Sequence, residues 1–254
     1  MITNFEALFL GIIQGLTEFL PISSSGHLIL AQEIIGVKQI GNELEVLVHM
    51  GTLISIIIIY RKDIQSLLFS IQKKNTQFYL ICLIIASVPA AFCGLMLKDM
   101  ISPLFENVIS VGIALIVTGI VLCLSSFVKK KRVKNQTLFL YFMIGCAQAI
   151  AIIPGISRSG ITISVALFLG LQPKEASRFS FLLAIPVIFG AGILTFFDVT
   201  GNSQIPVSSS VIAFLSAFVV GLLSLSWLIR WLESGKFYYF GIYCFLIGLL
   251  TLVL

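Results

Sequence analysis

Charged residues are scarce in this chain of 254 residues, where Asp, Glu, Lys and Arg together make up 11% of the sequence. Water-soluble domains carry about 25% of these residues, so a soluble enzyme, a DNA-binding module and a disordered chain are excluded. An apolar fraction of 58% and a mean hydropathy of +1.09 instead predict a helical protein that crosses a membrane several times. The length suits one membrane domain over 1–254 without a soluble appendage.

Cysteine occurs five times, always singly and without Cys-x-x-Cys spacing. Thiolate metal sites and disulfide frameworks use paired spacings, so the cysteines are predicted to be small core residues. The first basic residue is Lys38, and a secretory signal with a positively charged start is therefore not expected. The pI near 9.0 does not indicate a nucleic-acid partner, because the basic residues lie between apolar runs, where they set membrane orientation.

Six apolar runs are candidates for crossing about 30 Å of hydrocarbon, which takes about 20 helical residues. They are residues 44–60, 77–97, 108–128, 179–197, 207–229 and 238–254. Two further stretches, 4–36 and 138–171, are apolar at both ends. Polar breaks interrupt them at Pro21-Ile-Ser-Ser-Ser-Gly26 and Pro154-Gly-Ile-Ser-Arg-Ser-Gly160. Each half is too short to cross comfortably, so each stretch is predicted to be a re-entrant helical hairpin whose break is buried or faces water.

The basic residues between these runs predict the orientation. Six crossings and two hairpins place 13 of the 16 Lys and Arg residues in four loops on one side. These residues are Arg61, Lys62, Lys73, Lys74, Lys129, Lys130, Lys131, Arg132, Lys134, Lys174, Arg178, Arg230 and Lys236. Because positive loops stay inside, that side is predicted to be cytoplasmic and both termini to lie outside. Glu175 and Arg178 are expected to be solvated loop charges.

The two hairpins are alike at an offset of 134 residues. Gly11-Ile-Ile-Gln14 matches Gly145-Cys-Ala-Gln148, and Ile22-Ser-Ser-Ser-Gly26 matches Ile156-Ser-Arg-Ser-Gly160. The likeness predicts two repeats, 1–128 and 138–254, each of one hairpin and three spans. Because each repeat crosses the membrane three times, an odd number, the second repeat would be inverted relative to the first. Inverted repeats of this kind place a site near the membrane midplane, where the two breaks meet. Simple capping and turn roles for the breaks are the alternative.

The first hairpin carries Gln14 and Glu18 four residues apart, on one face of a helix. An ionisable Glu18 inside an apolar helix is costly and is therefore predicted to be functional. Its alternative role is that of a structural partner for Arg158.

The break of the first hairpin supplies hydroxyls and a helix start. Its polar residues are Ser23, Ser24, Ser25, Gly26 and His27. Backbone N–H groups and the helix dipole favour an anion there, and one hydroxyl becomes a nucleophile if a base lies close. Helix capping is the alternative role for Ser23 and Ser25. His27 adjoins this anion site and is predicted to be functional, although a lone histidine is usually structural.

The second break contains Arg158, the only basic residue predicted at membrane depth, whose planar fork suits phosphate oxygens. Ser157, Ser159, Gly160 and Thr162 beside it are predicted to bind the diphosphate, and Gly155 and Gly160 allow close backbone approach. A carboxylate, a histidine, serines and an arginine in a low-dielectric site are typical of phosphoryl transfer. A diphosphate would favour a divalent cation, Mg²⁺ or Ca²⁺, with Glu18 and Gln14 as oxygen ligands. The residues alone thus predict an intramembrane site for a phosphorylated lipid.

Glu45 and His49 lie one helical turn apart near the outer end of the 44–60 span. They either line the outer mouth of the site or form a structural pair, and the sequence does not separate these alternatives.

Three motifs of the chain resemble one known family. Gln14-Gly-Leu-Thr-Glu-Phe-Leu-Pro-Ile-Ser-Ser-Ser-Gly-His27 resembles the (Glu/Gln)-x-x-x-Glu and Ser-Ser-(Thr/Ser)-Gly-His motifs of undecaprenyl-diphosphate phosphatases of the bacitracin-resistance type. Pro154-Gly-Ile-Ser-Arg-Ser-Gly160 is similar to that family's second motif, and Phe179-Ser-Phe-Leu-Leu-Ala-Ile-Pro186 to its third block. The resemblance runs nearly end to end at comparable spacing, so it is far more specific than one short motif.

The resemblance implies hydrolysis of undecaprenyl diphosphate to the monophosphate and inorganic phosphate, which recycles the carrier lipid for peptidoglycan synthesis and confers bacitracin resistance. It also implies the fold of six spans and two hairpins, a divalent cation, and a site open to the outer face of the bacterial cytoplasmic (inner) membrane. Glu18, His27 and Arg158 match functional positions of the family, and Ser24 matches a proposed nucleophile. Some members have glutamate at the position of Gln14; since glutamine is neither a base nor an anionic ligand, those roles fall to Glu18.

Two alternatives stay open in the sequence. Either Ser24 or His27 could attack the phosphorus. A transporter or flippase of polyprenyl phosphate fits inverted repeats as well as an enzyme does, although transport needs no base beside a hydroxyl. Acid-phosphatase-type lipid phosphatases are excluded because the chain contains no Arg-Pro pair. The expected partners are a polyprenyl diphosphate and the bilayer, without nucleic acid; the oligomeric state, including a homodimer, is left open.

Overall fold

Helices form all the regular structure in the described residues of this computed structural model, which are 2–37, 41–97, 100, 102–128, 136–198, 205–233 and 237–253. The α-helices are α1 (Asn4–Thr17), α2 (Ser24–Ile35), α3 (Gly41–Ile59), α4 (Arg61–Phe69), α5 (Lys74–Met96), α6 (Val108–Ser126), α7 (Leu138–Ile150), α8 (Arg158–Phe168), α9 (Pro173–Asp198), α10 (Val207–Glu233) and α11 (Tyr238–Val253). A 3₁₀ helix, Ser102–Glu106, precedes α6. The predicted all-α class is confirmed.

The helices identify a polytopic membrane protein. Within the described residues, α5, α6, α9 and α10 are each long and apolar enough to cross a membrane, and α3 with α4 makes a fifth candidate. The shorter apolar helices α7, α8 and α11 have 13, 11 and 16 residues. Chain breaks separate α1 from α2 and α7 from α8, where the sequence predicts them. The count of six crossings with two re-entrant hairpins stays a prediction.

Two segments that the sequence places in loops are helical. Arg61 begins α4, which bends 67° away from α3. The helix α9 begins at Pro173, because proline favours the first helical position, and therefore includes Glu175 and Arg178. The prediction of loop positions is therefore wrong for both residues. Arg178 Nε lies 2.6 Å from Asp63 Oδ1 in a partly exposed ion pair. The predicted loop charges at 129–134 and Lys236 lie outside the described residues.

Small residues set the distances between paired helices. A Cβ atom on Gly119 of α6 would lie 2.7 Å from the Gly241 carbonyl oxygen of α11, and one on Gly112 would lie 3.1 Å from that of Gly248. The α6–α11 pair is therefore in backbone contact, as is common in membranes. The helix α1 packs on α10, and α7 packs on α5. In the two predicted repeats α1 corresponds to α7 and α10 corresponds to α5, so each of these pairs is the counterpart of the other. Inversion of the halves stays a prediction.

Aromatic side chains fill the end of the bundle where α5, α7 and α9 begin. The aromatic layer consists of Phe19, Tyr60, Tyr79, Tyr141, Phe179 and Phe181, which pack on one another with ring centroids 4.6 to 6.1 Å apart. The Arg178 guanidinium lies 5.5 Å from the Tyr79 ring centroid at the edge of this layer. The layer and the Asp63–Arg178 ion pair thus lie together at this end of the bundle. All five cysteines are free; Cys82 and Cys244 are buried in the core, as predicted.

Candidate active site

The two breaks touch each other in the interior. The Ser159 hydroxyl donates a hydrogen bond to the Leu20 carbonyl at 3.4 Å, joining the second break to the first. A Cβ atom on Gly26 would lie only 3.1 Å from Gly155 Cα, so the two backbones approach closely. Segments 139 residues apart in sequence thus form one site.

Glu18 is at the centre of this site, 7% exposed at the end of α1. Its Oε1 atom accepts a 2.6 Å hydrogen bond from Arg158 Nη2, which forms an ion pair. Its Oε2 atom accepts hydrogen bonds from Ser24 Oγ at 2.7 Å and Gln14 Nε2 at 2.9 Å. His49 Nε2 lies 3.5 Å from the same Oε2 atom. We call Gln14, Glu18, Ser24, His49 and Arg158 the Glu18 cluster.

The guanidinium of Arg158 is held by a second helix that sequence reasoning did not assign to the site. Arg158 Nη1 donates to the Ser180 carbonyl at 3.4 Å, and Ser180 Oγ lies 2.7 Å from Thr162 Oγ1. Thr162 also donates to the Arg158 carbonyl at 2.7 Å. Ser180 lies in α9, and the available signal was its position inside the apolar block that resembles the family's third motif.

His49 is brought into the Glu18 cluster from α3. Its Nδ1 atom lies 2.7 Å from the backbone carbonyl of Glu45, one turn earlier, and its Nε2 atom faces Glu18. The contact to Glu45 is thus with the backbone, and the imidazole reaches the centre of the site. The spacing of Glu45 and His49 predicts a shared helix face, but it does not indicate which neighbour that face meets.

The remaining serines of the breaks cap the helices that follow. Ser23 Oγ accepts from the Gly26 N–H at 3.3 Å, and Ser157 Oγ accepts from the Gly160 N–H at 3.1 Å. The capping alternative is therefore confirmed for Ser23. The hydroxyls of Ser25 and Ser159 each lie 3.3 Å from the capping serine two residues before. Since α2 and α8 begin at Ser24 and Arg158, the positive ends of both helix dipoles are at the Glu18 cluster.

His27 is not brought to the Glu18 cluster. Its Nδ1 atom lies 2.8 Å from the Ser23 carbonyl oxygen, and its Nε2 atom lies 2.9 Å from the hydroxyl of Tyr243 on α11. The His27 and Tyr243 rings are stacked, with an interplanar angle of 12°. Tyr243 was not identified from the sequence, because no local pattern connects residues 216 positions apart.

Gly155 shapes the second break. It has φ +93°, a conformation that side-chain-bearing residues rarely adopt, and its carbonyl accepts a 3.1 Å hydrogen bond from Thr118 Oγ1. The same Thr118 hydroxyl accepts from the Ser157 N–H at 3.1 Å. A Cβ atom on Gly155 would lie 2.6 Å from the Val111 carbonyl oxygen. The hydrogen bonds to Thr118 and the close approach to Val111 hold this break against α6.

The substitution Gly155→Ala is expected to lower the free energy of unfolding by roughly 2–4 kcal/mol, because it adds backbone strain to a steric clash. The measurement is a thermal unfolding curve of the purified protein in detergent. Gly190→Ala is the matched control, since a Cβ atom at this helical glycine meets nothing within 4 Å. Equal melting temperatures for the two variants would contradict the tight packing of this break.

The described residues offer a divalent cation few ligands of their own. Within them no group of three His, Cys, Asp or Glu side chains could hold a metal. Glu18 is the carboxylate of the Glu18 cluster. The Oε1 atom of Gln14 is buried and has no hydrogen-bond partner within the described residues. Mg²⁺ is commonly bound by one or two carboxylates together with substrate phosphates. The Glu18 and Gln14 oxygens are therefore those available to a cation that enters with a diphosphate, and the cation itself stays a prediction.

Comparison with known proteins gives one consistent result. The family model described as "Bacitracin resistance protein BacA" matches residues 7–250. The undecaprenyl-diphosphatase of Halothermothrix orenii is 40% identical to this chain, covering 98% of the chain and 97% of the relative. The undecaprenyl-diphosphatase of Carboxydothermus hydrogenoformans is 39% identical, covering 99% of the chain and 97% of the relative. Undecaprenyl-diphosphatase 1 of Bacillus cereus is 38% identical, covering 97% of the chain and 96% of the relative. These relatives carry the name of a hydrolase, so the transporter alternative is not favoured.

Proposed function

The chain belongs to the bacitracin resistance protein BacA family, and we propose that it hydrolyses undecaprenyl diphosphate to undecaprenyl phosphate and inorganic phosphate. The observation that carries this proposal is the arrangement around one carboxylate. Glu18 accepts a hydrogen bond from the Ser24 hydroxyl at 2.7 Å, while Arg158 lies 2.6 Å from its other oxygen. A nucleophile, a base and a cation for phosphate thus meet at one buried point. Hydrolysis returns the carrier lipid to peptidoglycan synthesis, the step that underlies bacitracin resistance.

The terminal phosphate binds between the two breaks. Arg158 and the N-terminal ends of α2 and α8 supply positive charge there. The donors expected around the diphosphate are the residues of the breaks, namely Ser23, Ser25, Gly26, Ser157, Ser159, Gly160 and Thr162. The diphosphate competes with Glu18 for Arg158, so its binding frees the carboxylate to act on Ser24.

The reaction proceeds in two displacements. Ser24 Oγ attacks the terminal phosphorus, the bond from that phosphorus to the bridging oxygen breaks, and undecaprenyl phosphate leaves. Glu18 takes the proton of Ser24 and returns it to the leaving phosphate. A water molecule then attacks the phosphoserine with Glu18 again as the base, which releases inorganic phosphate and regenerates the Ser24 hydroxyl.

The geometry supports Ser24 rather than His27 as the nucleophile. Ser24 is hydrogen-bonded to the carboxylate that would remove its proton, and it lies at the positive end of α2. Both ring nitrogens of His27 are occupied by Ser23 and Tyr243 instead. Attack by Nε2 of His27 would require its contact with the Tyr243 hydroxyl to break.

A divalent cation, Mg²⁺ or Ca²⁺, would be held by Glu18 and Gln14 together with the diphosphate. When bound, it offsets the negative charge of the diphosphate. Chelation with EDTA is therefore expected to suppress phosphate release at least about tenfold, and added Mg²⁺ or Ca²⁺ to restore it. Unchanged turnover in EDTA would remove the cation from the proposal.

The protein resides in the bacterial cytoplasmic (inner) membrane, with its site open to the outer face. Two observations support this orientation. Basic residues lie at the first or second position of α4, α5 and α9 at one end of the bundle, which the positive-inside rule assigns to the cytoplasm. The aromatic layer fills that same end with packed side chains.

The orientation is tested with spheroplasts that express the protein. A membrane-impermeant short-chain prenyl diphosphate is added outside, and phosphate release is compared before and after lysis. The proposal predicts equal rates, and spheroplasts that express Arg158→Ala supply the background. Release that appears only after lysis would place the site on the cytoplasmic side.

The function itself is tested with the purified protein in detergent and undecaprenyl diphosphate. We expect release of inorganic phosphate with one undecaprenyl phosphate formed for each phosphate. Lipid transfer across vesicle membranes without phosphate release would instead support the transporter.

A further inference from the structure

Tyr243 and His27 join the last helix to the first break. The Tyr243 hydroxyl lies 2.9 Å from His27 Nε2, and the two rings stack with centroids 5.6 Å apart. On its other side, His27 Nδ1 lies 2.8 Å from the Ser23 carbonyl oxygen. We call this chain of contacts the Tyr243–His27 clamp.

The partners of His27 fix where its proton lies. A carbonyl oxygen is only an acceptor, so Nδ1 must carry the hydrogen that is donated to Ser23. In the neutral ring Nε2 is then an acceptor, and the Tyr243 hydroxyl donates to it. Every polar atom of the clamp is satisfied in this single arrangement, which leaves His27 without a free nitrogen for attack or proton transfer.

The clamp acts on a strained residue. Ser23 has φ 70° and is the one non-glycine residue with positive φ in the described part of the chain. Such a conformation persists only where its surroundings hold it, and it is typical of functional sites. The Ser23 carbonyl accepts from both the backbone N–H of His27, at 3.2 Å, and the imidazole. Ser24 follows directly, with its hydroxyl 2.7 Å from Glu18.

The helix that carries Tyr243, α11, is held in place by its packing on α6. Glycine contacts bring α11 against the backbone of α6, and Thr118 of α6 holds the second break through Gly155 and Ser157. The α6–α11 pair therefore supports both breaks, the first through Tyr243 and the second through Thr118. Precise positioning of a reacting group requires rigid supporting helices of this kind.

We propose that Tyr243 is a positioning residue, which acts through His27 to hold Ser23 in its strained conformation and thereby aims the Ser24 hydroxyl. The proposal rests on the proposed phosphatase function. It gives His27 a role in holding the loop rather than in the chemistry. The Tyr243 hydroxyl contacts His27, which lies outside the Glu18 cluster.

The first test is steady-state kinetics of Tyr243→Phe, which keeps the stacked ring and removes the hydroxyl. We expect kcat to fall about tenfold, the worth of one good hydrogen bond, with KM changed by less than about twofold. Tyr239→Phe, one turn away and packed on Trp231 and Tyr238, is the matched control and should keep wild-type kcat. Wild-type kcat in Tyr243→Phe would overturn the proposal.

Substitutions of His27 separate positioning from chemistry. An asparagine amide nitrogen takes about the place of Nδ1, so His27→Asn keeps the donor to Ser23. We expect it to retain roughly the activity of Tyr243→Phe, and His27→Ala to fall at least about tenfold below it. Adding Tyr243→Phe to His27→Asn should change nothing further, because the partner of the hydroxyl is already gone. Equal inactivity of His27→Asn and His27→Ala would assign His27 to the chemistry instead.

A measurement independent of turnover distinguishes failure of the clamp from failure of the proposed function. The chain has two histidines, so ¹⁵N-histidine spectra are simple, and His49→Gln assigns the His27 signals. In the wild type we expect the neutral imidazole of His27 with its hydrogen on Nδ1. In Tyr243→Phe we expect the ¹⁵N chemical shift of Nε2 to move towards that of a ring nitrogen without a hydrogen bond. If the wild type releases no phosphate while this shift appears, only the proposed function fails. If hydrogen lies on Nε2, or the signal does not move, the clamp is refuted even with normal turnover.

Discussion

The variant Arg158→Ala is expected to lose at least about 10³-fold in kcat/KM for undecaprenyl diphosphate. Arg158 supplies the guanidinium that pairs with the carboxylate bonded to Ser24, and removal of such a group from phosphoryl transfer costs about 10³–10⁵ in rate. The loss is measured as phosphate release by the purified protein. Arg178→Ala is the matched control: it removes the arginine paired with Asp63 at the bundle end and should retain activity within about threefold.

Loss of the fold must be separated from loss of chemistry in Arg158→Ala. Removing one partner of a buried ion pair destabilises by about 3–5 kcal/mol, because Glu18 is left buried and charged without its cation. Removal of both partners is much less costly, so the double variant Arg158→Ala, Glu18→Gln should regain most of the lost melting temperature. It should remain inactive. If it recovered turnover along with stability, Arg158 would be a structural residue only.

The variant Ser24→Ala is expected to lose at least about 10³-fold in kcat, because the attacking hydroxyl is removed while the Glu18–Arg158 pair remains. Its melting temperature should fall less than that of Arg158→Ala, since a hydrogen bond to a charged group contributes about 1.5–3 kcal/mol and the ion pair of Glu18 is kept. Activity and unfolding are measured on the same preparation.

Ser25→Ala is the matched control for Ser24→Ala. The Ser25 hydroxyl lies 3.3 Å from Ser23 Oγ and makes no hydrogen bond to Glu18. We expect its kcat to fall less than about tenfold. Near-normal turnover in Ser24→Ala, or equal losses in the two variants, would remove Ser24 as the nucleophile.

Local patterns in the sequence predict the apolar helices and mark several residues at the centre of the site, but they miss α4. Long apolar runs and polar breaks lie in consecutive residues, so the helices before and after each break agree with the prediction. Glu18 and Arg158 are conspicuous because charge is rare in this chain and costly at membrane depth. The sequence offers their ion pair as the alternative to a functional Glu18, and the structure brings the two side chains to 2.6 Å.

Contacts between distant helices were beyond the sequence. The spacing of Glu45 and His49 defined a helix face without saying that it points at Glu18. Tyr243 was one aromatic residue among many in an apolar run, and only its contact with His27 distinguishes it. Ser180 lies in the block that resembles the family's third motif, but nothing in that block indicates that its carbonyl meets Arg158. Side-chain partners across a bundle depend on helix rotation, which the apolar pattern of a membrane helix specifies poorly, because such a helix is apolar on most faces.

The most direct test of the account is to locate the phosphate during turnover. The purified protein is mixed with undecaprenyl diphosphate that carries a radiolabelled terminal phosphate, quenched within the first turnover in parallel acid and alkaline denaturants, and digested for peptide mapping. The account predicts label on Ser24 that survives acid and is lost in base, and that is absent from Ser24→Ala and from Arg158→Ala. Label on His27 that survives base and is lost in acid, or full turnover by Ser24→Ala, would contradict it.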